Sequence, residues 1–186
     1  MCDDFTEKDM DKRLRGISRR HFNTLAASTA LAISLPKVAN ALSVNASNVE
    51  VKTPDGTCDA LFIHPAVGTH PAVLMWPDIL GLRPAFRTMA TRLAESGYAV
   101  LCVNPYFRDA RAPIVQVGES FQDESTREKI MPMYRNLSAD THQEDAKAFV
   151  TWLDDCPVVD TNRKIGTMGY CMGGPIIMRT AAAIPD

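Results

Sequence analysis

No two cysteines of this 186-residue chain form a C-x-x-C pair, neither sign of charge prevails, and no apolar run is long enough for a bilayer. Each absence excludes a class of protein. Five scattered cysteines are too few for a disulfide framework, and without C-x-x-C there is no zinc or dithiol redox motif. A formal net charge of −2 does not suit a chain that holds nucleic acid by neutralising phosphates. With 46% apolar residues the chain is too hydrophobic to be disordered. Nothing in the sequence implies a metal or an organic cofactor. Histidine is scarce too: there are four, His21, His64, His70 and His142.

The first 41 residues read as an export signal. Ser18-Arg19-Arg20-His21-Phe22 precedes thirteen uncharged residues, Thr24 to Pro36, and then comes the small-x-small site Ala39-Asn40-Ala41. The uncharged stretch falls short of the roughly 20 residues that span a bilayer, so no stable membrane insertion is expected. The arginine pair resembles the twin-arginine signal read by that export machinery, and the expected destination is the periplasm. These residues hold seven of the 20 basic and five of the 22 acidic side chains, leaving a charge of −4 on the remainder.

From residue 42 onward, strands and helices alternate. An antiparallel hairpin is expected from Asn48–Thr53 and Thr57–His64 around Pro54-Asp55-Gly56. Pro71–Trp76 is a short continuous apolar run that suits a strand buried on both faces, and Tyr98–Asn104 and Lys164–Tyr170 read as a second and a third buried strand. Helices are expected over Pro84–Ser96, Ser125–Tyr134, Asp140–Asp155 and from Met172 towards Ala183. The alternation implies right-handed crossovers and a parallel sheet with helices on both faces, an α/β fold. Residues 105–138 are long for a connection, as binding elements often are.

The chemistry lies at the end of the third expected strand. Gly169-Tyr170-Cys171-Met172-Gly173 is G-x-C-x-G where a strand turns into a helix. A nucleophile elbow holds its central residue in a strained conformation, and glycines two before and two after let the helix pack against the strand. The helix N-terminus also brings its positive dipole end close to the nucleophile. Cys58, Cys102 and Cys156 lack such a setting and read as packing residues.

On these residues the sequence resembles the dienelactone hydrolase (carboxymethylenebutenolidase-like) family of α/β-hydrolases. The elbow Gly169–Gly174 carries the resemblance, with Trp76-Pro77-Asp78-Ile79-Leu80-Gly81-Leu82, Gly97-Tyr98-Ala99-Val100 and Asn104-Pro105-Tyr106. The resemblance implies the N-terminal part of that fold over residues 42–186. It further implies attack by Cys171 on a small ester or lactone through an acyl-enzyme, with the oxyanion held by the N–H groups of Met172 and Ile79. Asp78 stands where the family commonly has a glutamate able to take the nucleophile's proton; the other reading is a solvated loop carboxylate. Arg127 resembles a family arginine that binds the carboxylate of an anionic substrate; the other reading is a solvated arginine.

In this superfamily the triad runs nucleophile, acid, histidine along the chain. After Cys171 come one acid, Asp186, and no histidine. The expectation is therefore a fragment whose triad Asp and His lie beyond residue 186, with the nucleophile strand left as an open edge. The competing reading is a non-catalytic or vestigial chain that keeps a pocket without a base. Reading the encoding DNA past codon 186 separates the two.

Overall fold

The computed structural model describes residues 41–184. All but the last residue of the expected export signal lie outside them. Five strands are described: β1 (Val44–Thr53), β2 (Gly56–Pro65), β3 (Ala72–Trp76), β4 (Ala99–Val103) and β5 (Gly166–Gly169). Four helices join them: α1 (Pro84–Glu95), α2 (Glu124–Arg135), α3 (Ala139–Asp154) and α4 (Gly173–Ala183). The strands form one sheet in the order β1-β2-β4-β3-β5. β3 pairs in parallel with β4 and β5, whereas the hairpin β1–β2 joins β4 antiparallel. The α/β fold is thus mixed at the hairpin and parallel towards the elbow.

Burial explains which strands lie in the middle. Every residue of β3 and β4 is buried, and in a pleated strand successive side chains face opposite sides. Ala72, Leu74 and Trp76 join one core with Phe149 and Leu153 of α3 and Ile176 of α4. Val73 and Met75 join the other with Phe86, Ala90 and Ala94 of α1. The four-residue spacing on α1 keeps those three on one helical face, and Pro84 starts the helix where a missing N–H costs nothing. Gly97 stops it at φ 103°.

One expectation is corrected here. The third expected strand is not buried on both faces: β5 spans only Gly166–Gly169, pairs with β3 alone, and is exposed or half-buried throughout. Among the described residues no strand covers its other edge, so its apolar sequence does not translate into burial. The excursion between β4 and α3 instead builds a third cluster of its own, with Tyr106, Ile114, Val115, Ile130 and Met133.

Two charged groups lie deep beside α3. Arg108 forms a bidentate pair with Asp145 at 2.8 Å, also reaches Asp55 at 2.7 Å, and stacks on Phe107 at 4.4 Å. Asp145 is buried, and its burial raises the carboxyl above its usual range despite the opposing Arg108 charge.

His142 is also buried, and its Nδ1 accepts from Arg179 at 2.8 Å. Burial, then the Arg179 and Arg108 charges, pull the imidazole down to about 4. The unfolded chain takes up this proton near 6.5, so His142 supports the native state above that pH and withdraws support as pH falls to about 4. Urea unfolding of His142→Gln should lose less stability than the parent between pH 7 and 4. Parallel pH profiles would refute this.

Candidate active site

The elbow is built by close backbone approach. β5 ends at Gly169, and Cys171 follows with φ 51°, the one non-glycine residue with positive φ among those described. Such a conformation costs on the order of 1–3 kcal/mol and persists only where the surroundings impose it. Here they do. A Cβ on Gly169 would sit 2.5 Å from the Gly173 carbonyl oxygen and 2.8 Å from Ile177 Cγ2. A Cβ on Gly173 would sit 2.6 Å from the Trp76 oxygen and 2.9 Å from that of Pro77. The two glycines let α4 start directly against the ends of β5 and β3. Gly173 N–H donates to the Tyr170 carbonyl at 2.8 Å and Gly174 N–H to the Cys171 carbonyl at 3.0 Å, closing the turn. The Cys171 side chain is left exposed.

Cys58 and Cys102 are buried, and burial pushes both thiols far above their usual range; Cys156 is raised by burial and by Asp155. Their expected packing role agrees with this placement.

The loop after β3 is pinned on itself. Gly81 N–H donates to the Asp78 carbonyl at 2.9 Å, and Leu80 N–H to Asp78 Oδ1 at 3.0 Å. Gly81 takes φ 74°, which completes the turn. Asp78 is half-buried and held by Arg83 through two bonds, Nη1 to Oδ1 at 2.6 Å and Nη2 to Oδ2 at 2.9 Å. Its described partners are therefore Arg83 and the loop backbone. Arg83 also lies 5.0 Å over the Phe86 ring.

The two amides expected to hold an oxyanion, those of Ile79 and Met172, have no acceptor among the described residues. Tyr106 connects their segments: its hydroxyl donates to the Ile79 carbonyl at 2.8 Å and lies 3.3 Å from the Met172 sulfur. Tyr106 is fully buried. Arg127 lies on α2, and its Nη1 donates to the carbonyls of Phe121 and Gln122 at 3.2 and 2.6 Å. It ties down the segment before α2 rather than standing free in solvent.

Sequence reasoning placed Cys171, Met172, Ile79 and Asp78 on two adjacent turns but missed the partners Arg83 and Tyr106. Arg83 stands five residues after Asp78, a spacing without meaning until the loop is folded; Tyr106 is 66 residues from Met172. No described histidine hydrogen-bonds Cys171: His64, His70 and His142 bond Pro65, Val67 and Arg179. No three His, Cys, Asp or Glu side chains cluster as a metal site needs, and no helix is long and apolar enough to cross a membrane, among the described residues. A cavity of about 580 Å³ opens between the β1–β2 hairpin and the start of α1, walled by Arg83, Arg87 and Arg111 with Glu50 and Asp59, and Cys171 does not line it.

The profile of the dienelactone hydrolase family matches residues 58–186. Carboxymethylenebutenolidase of Pseudomonas putida is 27% identical over 135 residues, covering 72% of this chain and 55% of that protein. The Rhodococcus opacus enzyme of the same name is 27% identical over 137 residues, covering 73% and 48%. Among solved structures, one from Klebsiella pneumoniae superposes with a TM-score of 0.64 at 21% identity, covering 77% and 56%. The dienelactone hydrolase of Anabaena variabilis gives 0.51 at 19%, covering 76% and 59%. The chain spans about half the length of the curated relatives it matches.

Proposed function

The chain belongs to the dienelactone hydrolase family, and on that premise we propose that its protein hydrolyses a small ester or lactone through Cys171. The sulfur attacks the carbonyl carbon, and the oxygen that becomes negative is held by the Met172 and Ile79 N–H groups. The bond to the leaving oxygen then breaks, giving a thioester on Cys171 that water hydrolyses. The base that takes the thiol proton is none of the described histidines, whose rings bond Pro65, Val67 and Arg179. Asp78, held by Arg83, shapes the oxyanion loop through Leu80 N–H and keeps acceptor capacity on Oδ2 for the thiol proton. Arg127 keeps guanidinium donors free of the Phe121 and Gln122 carbonyls, and these suit the carboxylate of an anionic substrate. Residues 1–41 direct the protein through the twin-arginine machinery to the periplasm; a reporter fused to them should be exported only where that machinery is intact.

The observation that carries this proposal is Cys171 at φ 51° between two glycines whose Cβ positions are occupied. Mixed with p-nitrophenyl acetate, the 186-residue chain should release about one p-nitrophenolate per molecule, carry the acetyl group on Cys171 by mass spectrometry, and not turn over. Cys171→Ala should abolish the burst. Rapid turnover that depends on Cys171 would overturn the reading that no described histidine serves as its base, and acylation elsewhere would overturn the nucleophile.

A further inference from the structure

Beside the backbone approach of Gly173 to Trp76 and Pro77, Tyr106 joins the two walls of the site through its side chain. Its hydroxyl donates to the carbonyl of Ile79 at 2.8 Å and lies 3.3 Å from the sulfur of Met172. The first wall is the Asp78–Gly81 loop, already closed on itself by Gly81 N–H and Leu80 N–H. The second is the elbow, fixed by Gly173 and Gly174 N–H. Each set of bonds is internal to its own turn. Neither fixes the distance or the angle between the Ile79 and Met172 amides, which are the pair that must converge on one oxygen atom.

We propose that Tyr106 is a positioning residue that sets the mutual orientation of the two oxyanion amides by bonding the Ile79 peptide and bracing the Met172 side chain. The inference rests on the proposed Cys171 chemistry. Three features give the hydroxyl this capacity. Tyr106 is fully buried, so water does not compete for its proton. Its ring is anchored in the cluster with Ile114, Val115, Ile130 and Met133, against which Ile79, Leu80 and Met172 also pack. Its backbone is fixed as well, since Tyr106 N–H donates to Asn104 Oδ1 at 3.0 Å. Asn104 in turn is held by Asp59 and the Ala110 carbonyl. The ring therefore stands on a rigid base rather than on a mobile loop.

The groups facing the phenol keep it a donor. Burial first, then the nearby Asp78, Tyr134 and Cys171, push it well above the usual tyrosine range. It stays protonated wherever the site works, and the proton has one good acceptor, the Ile79 carbonyl.

Oxyanion stabilisation and thiol reactivity can be read separately on Cys171. Acylation by p-nitrophenyl acetate develops an oxyanion, whereas alkylation by iodoacetamide displaces iodide without one. The experiment compares the two rates, by p-nitrophenolate burst and by peptide mass spectrometry, in the 186-residue chain and in Tyr106→Phe. A second variant carries 4-fluorophenylalanine at position 106, filling the space of the hydroxyl without a proton to donate, in case the smaller ring unfolds. The expected result is acylation slowed about tenfold with alkylation within about twofold of the parent, since small displacements of preorganised donors are costly in rate. Acylation unchanged, or both rates falling together, would overturn the inference. A parent chain acylated at a residue other than Cys171 overturns the nucleophile proposal itself, and the role of Tyr106 with it.

Discussion

Gly173→Ala is expected to lower the stability of the chain by about 3 kcal/mol, the upper range for inserting an atom where none fits. The added Cβ would lie 2.6 Å from the Trp76 oxygen and 2.9 Å from the Pro77 oxygen. Both are backbone atoms, so no side chain can rotate away to make room. Relief requires α4 to lift from the end of β3, and that movement takes Cys171 and the Met172 amide with it. Gly169→Ala should behave alike, because its Cβ meets the Gly173 backbone. Gly174 supplies the control. Nothing lies within 4 Å of its Cβ position, and alanine is the better helix former by about 0.5–1 kcal/mol, so Gly174→Ala should be neutral or stabilising. Urea midpoints of the three variants decide the matter. If Gly173→Ala and Gly174→Ala shift the midpoint equally, the elbow is not held by backbone contact.

Arg108→Met carries the second large effect, a loss of about 3–5 kcal/mol, the range for removing one partner of a buried ion pair. Asp145 is 2% exposed and takes two bonds from that guanidinium. Without Arg108 its carboxylate would remain in the interior opposite no positive partner of comparable geometry. Burial already raises this carboxyl. In the variant it rises further, so the folded chain takes up a proton that the unfolded chain binds only at lower pH. The variant should therefore be less damaged at pH 5 than at pH 8. Pairing Arg108→Met with Asp145→Leu should recover most of the loss, because two apolar groups replace a broken charge pair. Thermal unfolding of the single and double variants tests this, and a double variant no better than the single would show that the cost comes from lost packing on Phe107 instead.

These two expectations sit on opposite sides of what the sequence could reveal. The glycines at 169 and 173 were legible because the chemistry demands small residues at those two places and strand and helix patterns flank them. The helix over 84–95, the hairpin and the strands β3 and β4 were legible for a similar reason: the signal is local, in turn residues, helix starts and short apolar runs. The Arg108–Asp145 pair was not, since 37 residues separate its members and each alone looks like an ordinary surface charge. β5 shows both outcomes, since its open edge was expected while burial on both faces was not found. Its residues read as a strand buried on both faces, but burial is a property of neighbours, and among the described residues β3 is its one partner.

Asp78 and Arg127 show how the same limit falls on the candidate site. Their side-chain chemistry suited two tasks each, and sequence alone could not choose. The fold gives both carboxylate oxygens of Asp78 to Arg83 and two of the nearby backbone carbonyls to Arg127. The sequence by itself determined the α/β alternation and the elbow around Cys171, because steric demand at a strained turn and hydrophobic periodicity are written over a few consecutive residues. The tertiary structure alone decided which charges are paired and that Tyr106 spans the two amide-bearing turns, because those bonds join segments that only the folded sheet brings together.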